Sequence, residues 1–141
     1  MQKILVPVDG SPSSLRAVEY VAGLYKLGTQ PEIDLLNVQL PIASGNIRRF
    51  VSHNMIDDYH RIEGEEALKP AKVVLDRDGV PYKADILVGH LAETIAEYAL
   101  QHHCTVIAMG TRGMGPVKNL VLGSVATQVI HLVDIPVTLV K

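Results

Sequence analysis

Short apolar runs alternating with longer segments of helical spacing constrain this chain more than any other feature. Lys3 to Val8 reads K-I-L-V-P-V, apolar on both alternating faces, the pattern of a strand covered on both sides in a parallel sheet. Asp9-Gly10-Ser11-Pro12 then punctuates the chain: Gly10 tolerates a positive φ, Ser11 can cap a helix and Pro12 suits its first turn. Leu15, Val18, Val21, Ala22 and Tyr25 follow on one helical face, with Gly28 as a stop, so a helix is predicted from about Pro12 to Leu27. Ile33 to Val38 is a second strand run.

From Gln39 to about Met55 the pattern dissolves into Pro41, Ser44, Gly45 and Arg48-Arg49, which reads as a mobile surface loop. Helical spacing resumes through Ile56, Tyr59, Ile62, Ala67 and Val74, with Pro70 expected to kink the helix and Asp78-Gly79 to end it. Tyr82 to Val88, Thr105 to Met109 and Pro136 to Val140 are three further strands. They are separated by helices over Leu91 to about His102 and Ser124 to about Val133. The order is β-α-β-α-β-α-β-α-β, which predicts an α/β fold: one doubly wound, five-stranded parallel sheet with helices on both faces. Ligands of such sheets bind beyond the carboxyl ends of the strands, where strand order reverses. Here those ends are the turns after Val8, Val38, Val88 and Met109.

Composition narrows the function classes. The 141 residues are 48% hydrophobic with a formal net charge of -2, enough to bury a core as one domain over residues 1–141 without metal or disulfide staples. Near-neutral charge, one Phe, five Tyr and no Trp leave neither the basic footprint nor the stacking platform of a nucleic-acid binder. No run of about 18 apolar residues is present, so no membrane span is expected. The apolar run from Ile4 stops at Asp9-Gly10, too short for a signal peptide. With Cys104 as the single cysteine, a reducing, cytoplasmic location is expected.

The segment richest in chemistry is Gly110-Thr111-Arg112-Gly113-Met114-Gly115, followed after seven residues by Gly123-Ser124-Val125-Ala126. It leaves a buried strand and opens a helix. Glycines let backbone amides approach phosphate oxygens, the helix start offers unpaired amides and a positive dipole end, and Ser124 adds a hydroxyl. Arg112 can supply a forked cation or stand solvated in a turn. Turn chemistry and phosphate chemistry account equally well for the glycines.

At this segment the chain resembles the universal stress protein family. The spacing Gly110-x2-Gly113-x9-Gly123-Ser124 is similar to the nucleotide-binding signature of that family's ATP-binding branch. The likeness extends to Ile4-Leu5-Val6-Pro7-Val8-Asp9-Gly10-Ser11, to Ile107-Ala108-Met109, to Leu122 through Ala126 and to Ile135-Pro136-Val137. The resemblance implies a fold of the adenine nucleotide alpha hydrolase-like kind that binds ATP or AMP, with Mg²⁺ or Mn²⁺ accompanying ATP, and that pairs with itself in regulatory, stress-linked roles. It implies that Asp9 contacts the nucleoside, with Pro7 and Val8 lining its pocket. Val38 would hold adenine through backbone atoms and Met109 would pack on the base. Gly110, Arg112, Gly113, Gly123, Ser124 and Val125 would surround ribose and phosphates. Ala126 lacks the hydroxyl that some nucleotide-binding members carry. Read without the family, Asp9 is either a ribose acceptor at a strand end or a turn residue capping the next helix.

Rival chemistries lack their signatures. There is no Gly-Lys-Ser or Gly-Lys-Thr phosphate loop and no Gly-x-Gly-x-x-Gly after the first strand. The third strand ends Val88-Gly89-His90 without the phosphoacceptor Asp of a receiver domain. His102 and His103 are adjacent rather than spaced as zinc ligands and read as a solvated helix end. His90 reads as turn chemistry, and Cys104 as a small apolar residue. With Asp9 the one carboxylate at the proposed edge, nucleotide binding without efficient turnover is expected, and no catalytic or metal-ligating residue of the protein alone is assigned. A slow ATP hydrolase and a ligand-free dimeric interaction module are the alternatives. The final strand, Pro136 to Val140, is apolar and uncovered by later sequence, so a homodimer through that edge is expected. An unidentified regulatory protein partner is also expected.

Overall fold

A computed structural model describes residues 1–42, 52–111 and 122–141. Its elements are β1 (Lys3–Pro7), α1 (Pro12–Leu24), β2 (Glu32–Gln39), α2 (His53–Arg77), β3 (Lys83–Val88), α3 (Leu91–Gln101), β4 (Val106–Gly110), α4 (Ser124–Leu132) and β5 (Val137–Val140). The five strands form one parallel sheet in the order β3-β2-β1-β4-β5. That order differs from the 2-1-3-4-5 arrangement of receiver-like folds and places the reversal of winding between β1 and β4.

Each face of the sheet has its own core. Ile4, Val6 and Val8 share one cluster with Ala17, Val18 and Val21 of α1 and Leu68, Ala71 and Leu75 of α2. Leu5, Leu36 and Ile107 share the other with Ile95 and Tyr98 of α3 and Val129 of α4. The alternation in β1 is thus the period-two consequence of a strand buried on both sides.

Local chemistry sets the element ends. Ser11 caps α1 by accepting from the Ser14 N–H at 3.2 Å, and Pro12 follows in the first turn. The expected stop near Leu27 is instead a π-helical turn over Tyr25–Thr29, with Gly28 at φ +103° and the Thr29 hydroxyl donating to the Leu24 carbonyl at 2.8 Å. The second helix begins at His53, three residues before its first apolar anchor, because Ser52 accepts from the Met55 N–H at 3.2 Å. It runs through Pro70 as one element. Most of the Gln39 to Met55 segment and the Gly110 to Leu122 loop, including Arg112 and Gly113, lie outside the described residues.

Candidate nucleotide site

The pairing of β1 with β4 is short: Ile4 lies opposite Val106 and Leu5 opposite Ile107. By contrast, β1 and β2 stay in register from Lys3 opposite Glu32 to Pro7 opposite Leu36. The paired register thus stops short of the carboxyl ends of both strands, at the position where winding reverses and such sheets take ligands. On the β1 side lies the turn Val8-Asp9-Gly10-Ser11. Val8 is buried and Asp9 exposed, and Asp9 Oδ1 accepts from the Ser11 N–H at 2.9 Å. Gly10 turns the chain at φ +83°, a conformation that strains side-chain-bearing residues.

On the other side lies the end of β4. A Cβ on Gly110 would lie 2.6 Å from the Ser13 carbonyl oxygen, so glycine lets the start of α1 press against this strand. Beyond it, the Gly123 N–H donates to the Thr111 carbonyl at 2.6 Å. This one bond brings the two ends of the glycine-containing loop together and sets the start of α4 beside the end of β4. Gly123 is the N-cap of α4 and brings no side chain to the first-turn N–H groups; the Thr127 hydroxyl donates back to the Gly123 carbonyl at 3.0 Å. Ser124 is exposed, Val125 half-buried and Ala126 buried. Such a helix start presents N–H donors and positive potential suited to an anion.

The structure thus places Pro7, Val8 and Asp9 at the end of β1 and Gly110, Gly123, Ser124 and Val125 at the end of β4 and the start of α4. Val38 stands half-buried near the end of the neighbouring strand. Met109 is 6% exposed and belongs to the core cluster that contains Ala126 and Val129, so its side chain packs in the core beneath the end of β4. Among the described residues no three His, Cys, Asp or Glu side chains converge as metal ligands. A cation here would be held chiefly by phosphate oxygens and water.

Two buried polar groups on β2 escaped sequence reasoning. Asn37 donates from Nδ2 to the Val8 carbonyl at 2.8 Å and accepts from Gln39 Nε2 at 2.6 Å. Asp34 lies 3.1 Å from the Tyr98 hydroxyl and 3.7 Å from Lys3 Nζ, and the same hydroxyl reaches Asp85 at 2.7 Å. Burial and the two carboxylates push the Tyr98 phenol well above its ordinary range. Burial, then the Asp34 charge, pushes the Cys104 thiol up to about 11. Cys104 is therefore a protonated core residue at neutral pH, as its lone position predicts. His102 is half-buried and stacks on Tyr98 at 3.8 Å between ring centroids, so the expected solvated pair of histidines is half correct. A polar residue inside a strand run buried on both faces was the available signal for both groups.

Comparison with known proteins agrees with this architecture. The universal stress protein family model matches residues 1–141. A universal stress protein of Methanocaldococcus jannaschii, MJ0531, is 32% identical over 99% of this chain and 82% of its own length. The solved structure of MJ0577 superposes with a TM-score of 0.84 at 29% identity, covering 99% of this chain and 95% of that one. A universal stress protein family structure from Arabidopsis thaliana with AMP bound superposes with a TM-score of 0.72 at 21% identity, covering 100% and 92%. The fold and the family model together define an α/β protein with one parallel sheet covered on both faces. The chain belongs to the universal stress protein family.

Proposed function

We propose that this protein binds AMP or ATP in the crevice between β1 and β4 and acts as a regulatory, stress-linked homodimer rather than an efficient hydrolase. The observation that carries the reading is the juxtaposition of Asp9, Gly110 and the uncapped start of α4 where sheet winding reverses. Asp9 accepts from the ribose, and the amides of the α4 start, with Ser124, receive phosphate oxygens. Val38 lines the base subsite, while Arg112 and Gly113 complete the phosphate loop. Mg²⁺ or Mn²⁺ enters with ATP on its phosphates. The AMP carried by the Arabidopsis structure of this fold supports adenine as the base.

The two sheet edges differ in chemistry. The β3 edge carries Lys83 and Asp85, charges that discourage edge pairing, whereas β5 reads Val137-Thr138-Leu139-Val140. The uncharged edge favours a second copy of the chain. Site and edge are also linked: Gly110 pairs with Val140, and the Thr111 N–H donates to the Val140 carbonyl at 3.2 Å. A nucleotide that rearranges the end of β4 therefore acts directly on the dimer strand, and occupancy is read out as a conformational signal. Mass spectrometry of the small molecule released from purified protein tests the ligand assignment. AMP or ATP at near-stoichiometric yield is expected. A non-purine ligand held at that yield would replace the reading.

A further inference from the structure

Asn37 stands where β1 leaves the sheet. The ladder between β1 and β2 runs one step past Pro7, with the Val8 N–H donating to the Leu36 carbonyl at 2.9 Å. The next group of that turn, the Val8 carbonyl, is taken by a side chain, Asn37 Nδ2 at 2.8 Å. Asn37 is 2% exposed, so this bond forms out of reach of bulk water, where an unpaired partner is costly. The amide has a single orientation. A carbonyl only accepts, so NH₂ faces Val8 and Oδ1 faces Gln39, whose Nε2 donates to it at 2.6 Å. Gln39 in turn sits at the last register position of β2, opposite Val88, and its carbonyl accepts from the Gly89 N–H at 2.9 Å. A relay thus runs from β3 through Gln39 and Asn37 to the peptide that directly precedes Asp9.

We infer that Asn37, oriented by Gln39, is the positioning residue that sets the Asp9 turn for the nucleoside. Neither side chain is among those assigned to touch nucleotide. The inference rests on the proposed crevice site and goes beyond it by naming what holds the ribose acceptor in place. The Val8 carbonyl and the Asp9 N–H belong to one peptide plane. That plane is fixed on its carbonyl side by Asn37, while the Asp9 N–H lies 3.4 Å from the Ser14 hydroxyl. Beyond it, the Ser11 N–H holds the carboxylate. Releasing the carbonyl lets the plane rotate and moves Asp9 relative to the start of α4, so the site loses preorganisation rather than a contact.

A double-mutant cycle with AMP tests this, using Asn37→Leu, which keeps side-chain bulk without the donor, and Asp9→Asn. Asn37→Leu is expected to weaken AMP binding about tenfold in the parent and by less than about twofold when Asp9→Asn is already present, because its effect passes through the carboxylate. Equal weakening in both backgrounds would mean a merely structural role and overturn the inference, as would parental affinity in Asn37→Leu. Gln39→Met, at a half-buried position, serves if Asn37→Leu does not fold. It is expected to give about a threefold loss that again vanishes with Asp9→Asn, and a full loss in both backgrounds would overturn the inference. Hydrogen exchange without nucleotide separates this inference from the site assignment. Faster exchange of the Ser11 amide in Asn37→Leu supports the relay even if the parent fails to bind AMP, a failure that would strike the crevice reading. Unchanged exchange there overturns the relay itself.

Discussion

The Tyr98 hydroxyl has one proton and two carboxylates within reach, Asp34 at 3.1 Å and Asp85 at 2.7 Å. Asp34 is 2% exposed, and deleting the hydroxyl leaves its charge with Lys3 at 3.7 Å as the nearest ion-pair partner. Tyr98→Phe should therefore destabilise the fold by about 1–3 kcal/mol, measured by urea unfolding; an unchanged midpoint would show the network to be neutral. Cys104 adds a pH signature. An unfolded chain releases the thiol proton near 9.0, while the fold holds it to about 11. The unfolded state thus binds fewer protons across that window, and stability falls as pH rises through it. Cys104→Ala should lessen this alkaline loss when unfolding midpoints at pH 8 and about 10.5 are compared. The raised Tyr98 phenol leaves a further decline at higher pH.

At the scale of elements, α2 packs so closely on β3 that a Cβ at Gly64 would lie 2.6 Å from Ile86 Cγ2. Alanine is the better helix former by about 1 kcal/mol, yet Gly64→Ala should be net destabilising by about 1–3 kcal/mol because the helix or the isoleucine must shift. Ile86→Ala in the same chain should recover part of the loss in thermal melts, and no recovery would place the cost elsewhere. Glycine inside a helix said nothing of this in the sequence, since the neighbour across the interface is set only by the fold. Apolar period and turn residues made the nine described elements legible, and Ser11-Pro12 marked the start of α1. The start of α2 was hidden because His53-Asn54 is polar and only Ser52 marks it. Of the candidate site, Asp9 and the glycines were legible from chain order and spacing. Asn37 was not, because its partner is a backbone carbonyl 29 positions away.

Across the whole molecule, the β5 edge makes the proposed dimer testable without damaging the subunit. The Pro136 and Val140 carbonyls accept from Ile107 and Thr111, so the alternating backbone groups of Val137 and Leu139 point to the open side. Val137→Pro removes an outward donor and spares the ladder to β4. Sedimentation should show more monomer for this variant than for the parent, and a folded, fully dimeric variant would assign the interface elsewhere. In the function proposed above, adenine nucleotide binds where Asp9, Gly110 and the start of α4 meet. Equilibrium titration of AMP, and of ATP with Mg²⁺, into the parent and into Gly123→Val tests this placement. A side chain at the helix N-cap would stand where phosphate must approach, so saturable binding by the parent and at least about tenfold weaker binding by the folded variant are expected. Equal affinity of the two proteins for both nucleotides would place the nucleotide elsewhere.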